Sequence, residues 1–217
     1  MTEPLEVLNP SGQPTGETKA RAAVHRDGDL HRTLHLWVVR DGDEGAYVLM
    51  QRRAPGKDLE PGKLDVAVGG HFRSGETLPD VLREAHEELG VTVQPRELTY
   101  LGTFRATRHY PELGDAGIID DELQESYLLV RNAPLTSYQL DPAEVAVLYE
   151  LPLGGAVALY EHGAALAAAG CDAQGRRNDA LLIADDLIEG TREDVAARLR
   201  QIQTLLAGRE TPDSVEV

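Results

Sequence analysis

The feature that most constrains this chain is a double glycine, Gly69-Gly70, feeding a segment whose helical register is set on two faces. Leu78, Val81, Leu82, Ala85 and Leu89 recur at the spacing of a buried helical stripe, and Gly90 suits the position just past a helix end. Opposite them, Glu84, Glu87 and Glu88 stand at i, i+3 and i+4, so three carboxylates share one face within reach of one another. Like charges so placed repel and call for positive compensation. Hard divalent cations that prefer oxygen ligands, Mg2+ or Mn2+, supply it, and such an ion bridges phosphate oxygens and lowers the pKa of water. The same glutamates also read as the solvated face of an amphipathic helix.

The surrounding segments alternate between strand and helix patterns. Residues 5–8 and 14–16 read as short strands around a turn, 20–25 as a short helix, and 31–39 with 46–53 as a hairpin turning at Asp41-Gly42-Asp43. Residues 64–68 form a strand-like run into the double glycine. Further strands are expected over 98–104, 122–130 and 145–149, with 110–121 a Gly- and Asp-rich loop. In the tail, alanine-rich 157–169 and amphipathic 191–207 predict two helices, the second opened by Thr191 and Asp194 in a capping arrangement, with 171–178 a polar linker. The organisation expected is one domain over residues 1–150 and a C-terminal helical extension over 151–217 packed on it. Those helices are candidates for a homodimer interface or a lid.

A chain of 217 residues buries a sizeable core without disulfides, and Cys171 has no second cysteine to pair with. The formal net charge of -16 opposes attraction to nucleic-acid phosphates, although it equally describes a well-solvated surface. Met1-Thr2-Glu3-Pro4 has neither a basic start nor an apolar run, and no stretch approaches the roughly 18 apolar residues of a membrane span. A soluble, cytoplasmic protein acting on a small phosphorylated metabolite, with no nucleic-acid or membrane partner, is the expectation.

Gly70, Glu76 and Arg83-Glu84-Ala85-His86-Glu87-Glu88-Leu89-Gly90-Val91 closely resemble the Nudix box, G-x5-E-x7-R-E-U-x-E-E-x-G-U with U aliphatic. One departure stands out: six residues, Thr77 to Leu82, separate Glu76 from Arg83 where the pattern has seven. Losing one residue rotates what precedes it by about 100°. Pro79, a favourable first helical residue, suggests that the helix start or the loop before it absorbs the change. The resemblance implies an α/β/α sandwich with a mixed β-sheet, Mg2+ (or Mn2+) as cofactor, and hydrolysis of a phosphoanhydride by metal-activated water in a nucleoside diphosphate-type or related X-diphosphate. It implies that Glu87 and Glu88 coordinate metal, that Glu84 joins them or helps activate water, and that Glu76 pairs with Arg83. A further acid comes from Asp120, Asp121, Glu122 or Glu125, with Glu122 and Glu125 ranked first.

A narrower resemblance runs from about residue 5 to 150. Leu5-Glu6-Val7-Leu8, Val24-His25-Arg26-Asp27-Gly28-Asp29, His31-Arg32, His35-Leu36-Trp37, Gln51-Arg52-Arg53, Lys57-Asp58 and Leu64-Asp65 are similar to Nudix hydrolases related to isopentenyl-diphosphate isomerase. The isomerase itself is therefore a competing reading, and the metal-binding pattern it implies survives as His25, His31, His71, Asp120 and Glu122. Its proton-transferring cysteine, two positions before the metal-ligating histidine, is Gly69 here, which carries no titratable group. Hydrolysis is therefore preferred, and a non-catalytic metabolite-binding module remains a third reading. Arg52, Arg53 and Lys57 are the first candidates for phosphate contacts, with Gly70 and His71 at the turn; Lys63, Arg73, Arg105 and Arg108 follow. Trp37, Phe104 and Tyr110 are candidates for stacking on a base, with Trp37 also fitting a core position.

Overall fold

Alternation along one strand explains how the two halves of the core are built. In the computed structural model, which describes residues 3–42, 45–114 and 117–208, β3 (His31–Gly42) turns Leu34, Leu36 and Val38 to one face of the central sheet and Trp37 and Val39 to the other. The first face packs on α2 (Leu78–Val81) and α3 (Arg83–Leu89) through Val81, Leu82, Ala85 and Leu89. The second packs on α4 (Leu153–His162) and α5 (Arg192–Ala207) through Leu159, Tyr160, Leu199 and Ile202. A sheet buried on both faces by helices is the α/β/α sandwich that the sequence implied.

The remaining elements are the hairpin β1 (Pro4–Leu8) and β2 (Pro14–Ala20), helix α1 (Arg21–Asp27), and strands β4 (Gly45–Arg53), β5 (Leu64–Val66), β6 (Val68–His71), β7 (Leu98–Tyr110), β8 (Ile118–Val130), β9 (Val145–Pro152), β10 (Leu166–Asp172) and β11 (Ala180–Leu182). The main sheet runs β11-β10-β9-β4-β3-β8-β7, with β5 on β4 and β6 on β3. It is mixed, because β3 pairs parallel to β8, in the register His31↔Glu122, while β3 meets β6 antiparallel as Thr33↔His71. These two registers bring three distant segments to one end of the sheet. Among the described residues no helix is long and apolar enough to cross a membrane.

Three expectations are corrected. Residues 110–121 are not one loop, since β7 continues to Tyr110 and β8 starts at Ile118; paired Arg108–Asp120 and Arg105–Asp121 side chains sustain a polar ladder that composition alone disguises. The alanine-rich stretch is helical only to His162, and Leu166–Asp172 is a strand on β9 with Ala168 buried between exposed Ala167 and Ala169. Alanine fits either period, so its hydropathy pattern was silent. The tail therefore adds strands to the main sheet as well as two helices. Thr191 precedes α5, but its hydroxyl donates back to the Ile188 carbonyl at 2.9 Å, so the arrangement with Asp194 does not form. The hairpin turn expected at 41–43 is described only up to Gly42, and Asp43 lies outside the described residues.

Candidate active site

The helical segment does not run unbroken through the box. It pauses at Leu82, between α2 and α3, directly before the box arginine. The pause lets Arg83 reach back: its Nε donates to Glu76 Oε1 at 3.0 Å and its Nη2 to Glu76 Oε2 at 3.3 Å, the pairing the box implied. Arg83 Nη1 also bonds Glu84 Oε1 and lies 3.2 Å from Glu87 Oε2. One guanidinium thus spaces three carboxylates.

Gly70 lies against this helix, and a Cβ there would collide with Cγ and Cδ of Glu84. Only glycine lets β6 approach so closely. Burial pushes the Glu84 carboxyl up to about 7 against the opposing pull of Arg83. Glu88 is 3% exposed, accepts a bond from Gln51 Nε2 at 3.0 Å, and is held well above the usual carboxylate range by burial and by nearby Glu84.

Glu84, Glu87 and Glu88 line a cleft of about 460 Å³ together with Arg53, Lys57, Gly70, His71, Asp120 and Glu122. Arg53 holds Asp65 at 2.8 Å, and Lys57 pairs with Glu144. Asp65 escaped the sequence reading, although an acid in the apolar run Leu64-Asp65-Val66 was a usable signal. Arg52 and Glu125 do not reach the cleft wall, nor do Asp121, Lys63 and Arg105 from the lower-ranked candidates. Arg52 bonds Asp186 Oδ1 at 2.9 Å and the Gly62 carbonyl at 2.8 Å, while Glu125 accepts bonds from Arg32 at 2.6 and 2.8 Å. Strand parity is the reason. Adjacent Arg52 and Arg53 point to opposite faces of β4, and Glu122 and Glu125, three apart, to opposite faces of β8.

Along the same cleft a second cluster forms. His25 comes from α1, His31 from the start of β3, and His71 from the end of β6, with ring centroids 5.2, 5.3 and 5.5 Å apart. Ligand atoms of His25, His31 and His71 lie within 4.8 Å of one another, as do those of His31, Asp120 and Glu122. The box glutamates form no such group among the described residues, and Glu122 sits with the histidines rather than with them.

Nε2 of all three histidines and Oδ1 of Asp120 are buried without a hydrogen-bond partner. His31 Nδ1 is 3.0 Å from the Asp29 carbonyl, which orients the ring with Nε2 toward Asp120, 3.7 Å away. Burial lowers His25 to about 4 and His71 well below the ordinary imidazole value, so both rings are neutral near pH 7 and keep a lone pair free. On Glu122 burial acts upward, but Arg108, His35 and the Gln124 hydrogen bond together outweigh it and leave the carboxylate below its usual value. Four partnerless ligand atoms converging in a buried space fit a divalent cation with nitrogen and oxygen ligands.

A family model for the NUDIX domain matches residues 29–157. The chain is 35% identical over 135 residues to an uncharacterized Nudix hydrolase of Clostridium acetobutylicum, covering 62% of this chain and 63% of that protein. It is 32% identical over 132 residues to an isopentenyl-diphosphate Delta-isomerase of Streptomyces avermitilis, covering 60% and 63%. The match thus spans less than two thirds of either relative. A solved structure from Deinococcus radiodurans superposes with a TM-score of 0.62 at 21% identity over 91% of this chain and 99% of that one, a likeness of fold. With the box arginine pairing Glu76 and its glutamates lining the cleft, the sandwich and the match over more than half the sequence lead to one statement: this chain belongs to the Nudix family.

Proposed function

We propose that the chain is a divalent-metal-dependent pyrophosphohydrolase that cleaves the phosphoanhydride of a small X-diphosphate. The observation that carries this reading is that Glu84, Glu87 and Glu88 all line one acid-rich cleft that Arg53 and Lys57 also border, while Gly69 stands where an isomerase would need its proton-transferring cysteine. When bound, Mg2+ or Mn2+ supplies charge neutralisation on the phosphate oxygens and makes water more acidic. The chain's own residues do the rest. Arg53 and Lys57 donate to phosphate oxygens, and Arg83 fixes the spacing of Glu84 and Glu87. Glu84 takes the proton of the attacking water as the new P–O bond forms, and the bridging oxygen leaves with the other phosphoryl group.

Purified protein with MgCl2 or MnCl2, offered nucleoside, isoprenoid and sugar diphosphates, is expected to release phosphate or a monophosphate product. Glu87→Gln is expected to lower kcat by about 100-fold or more. Absence of product across the panel, with Glu87→Gln indistinguishable from the parent, would overturn the reading.

The histidine cluster favours a second reading, an isomerase-like proton transfer, because His25, His31, His71, Asp120 and Glu122 match the metal pattern that the isomerase resemblance implies. Deuterium uptake from D2O into isopentenyl diphosphate without phosphate release would select it.

A further inference from the structure

Arg108 stands directly across from Asp120 in the β7–β8 pairing, and Ala106 stands across from Glu122. Asp120 and Glu122, two residues apart, share one face of β8. Alanine at 106 sets no bulk opposite Glu122, so the arginine can lean diagonally along that face and serve both acids with one nitrogen. Arg108 Nη2 donates to Asp120 Oδ2 and to Glu122 Oε2, each at 2.8 Å. Both carboxylates are buried, and the arginine side chain is 19% exposed. The same two acids belong to the histidine cluster. Ligand atoms of His31, Asp120 and Glu122 converge within 4.8 Å, and Asp120 Oδ1 lies 3.7 Å from Nε2 of both His25 and His31.

The guanidinium therefore already fills part of the role that a divalent ion would take, since Nη2 occupies the space between the two carboxylates. A dication chelated by both acids and a guanidinium in that same buried space repel each other, which makes them alternatives rather than neighbours. The arginine is also not fully engaged. Its Nε is buried without a hydrogen-bond partner. Arg108 lines both the main cleft and a smaller space between β7 and α5, so the group has room to turn.

We propose that Arg108 is a resident cation of Asp120 and Glu122, displaced when a divalent ion loads the cluster, and that the displaced guanidinium turns into the cleft to bind a phosphate of the substrate. In the ion-free protein the arginine offsets the charge of the two acids. After loading it joins Arg53 and Lys57 along the cleft. Ion binding and anion binding are thereby linked, so phosphate is held well only once the ion is in place. The displacement needs only the cluster, whereas the handover to phosphate rests on the reading of the substrate as a diphosphate.

The test uses the full chain and reads binding alone. Arg108→Gln is expected to tighten Mn2+ binding in calorimetry by about tenfold or more, because the competing charge is gone. Weaker or unchanged affinity, or no Mn2+ binding by either protein, overturns the proposal; a loss would make the arginine a support of the ligand set instead of its competitor. Inorganic phosphate is then titrated with and without saturating Mn2+. In the parent the ion is expected to tighten phosphate binding by about tenfold, and in Arg108→Gln by no more than about threefold. Equal gains in both mean that the ion alone draws the anion, and overturn the handover. Should Arg108→Gln fail to fold, the parent carrying isotope-labelled arginine answers the first question by nuclear magnetic resonance. Saturating Zn2+, a diamagnetic ion that also suits imidazole, is expected to speed solvent exchange of the Arg108 Nε–H by about tenfold or more. Unchanged or slower exchange overturns the displacement. Nothing in these measurements depends on bond cleavage, so failure of the hydrolysis panel would sink the hydrolase reading and leave this result standing.

Discussion

The box glutamates and the histidine cluster border the same cleft but meet their electrostatic needs in opposite ways. The glutamates are provided for within the protein: Arg83 serves Glu76, Glu84 and Glu87, and the Gln51 amide serves Glu88. The cluster is left open, with three imidazole nitrogens and one carboxylate oxygen buried and unpartnered. A buried polar atom without a partner costs about 1–3 kcal/mol, so four together are tolerated only where something else supplies the missing partner. One half of the site therefore finds its hydrogen-bond partners within the protein, and the other presents ligand atoms that would suit a cation.

Three experiments press on that contrast. The largest effect is expected at the cluster, where His31→Ala should lower Mn2+ affinity by about 100-fold or more in calorimetry. Glu87→Gln, half exposed and on the other side, should change Mn2+ affinity at the cluster by no more than about threefold while turnover falls; equal losses of cluster affinity in both would merge the two halves into one site. Next comes Arg83→Ala. It strands Glu76 and Glu84 and should cost about 2 kcal/mol in denaturant unfolding, since the partners are mostly buried. An unchanged midpoint would mean the glutamates never needed the guanidinium. The smallest effect runs the other way. Glu88→Gln replaces a carboxyl that burial makes costly to ionise while keeping an oxygen for Gln51, and at alkaline pH, where that carboxyl is charged, should stabilise the metal-free protein by about 1 kcal/mol, or about 2–4 °C in thermal midpoint, while turnover falls.

The legible part of the molecule is the part whose function and helical register coincide. The stripe from Leu78 to Leu89 and the three glutamates follow from spacing, because residues three and four apart share a helix face, while the Glu76–Arg83 pair came from the family resemblance. Arg52 and Glu125 failed because neighbours alternate along a strand, and one member of each candidate pair had to face away. The histidines were visible as residues, but their convergence depends on β3 sitting between β6 and β8, which no local pattern encodes. The tail was least legible, since alanine serves a helix and a short-side-chain strand equally well. Its expected status as a separate extension from residue 151 remains our proposal for how the chain is organised, with β10 and the α4–α5 pair as its connections to the sheet.

The registers that place His31 beside Glu122 and His71 across from Thr33 have a consequence for any cation that the cluster would hold. These ligands are contributed by segments far apart along the chain, so the unfolded polypeptide holds no such constellation. Whatever free energy the cation releases on binding is credited entirely to the native state, amounting to about 2.7 kcal/mol when the ion stands at 100 times its Kd. A one-residue slip of β3 against either neighbour would turn His31 to the opposite face of the sheet. Loading of such a cation would thus act as a proofreader of strand alignment, stabilising the molecules that paired correctly and leaving the misaligned ones without that gain.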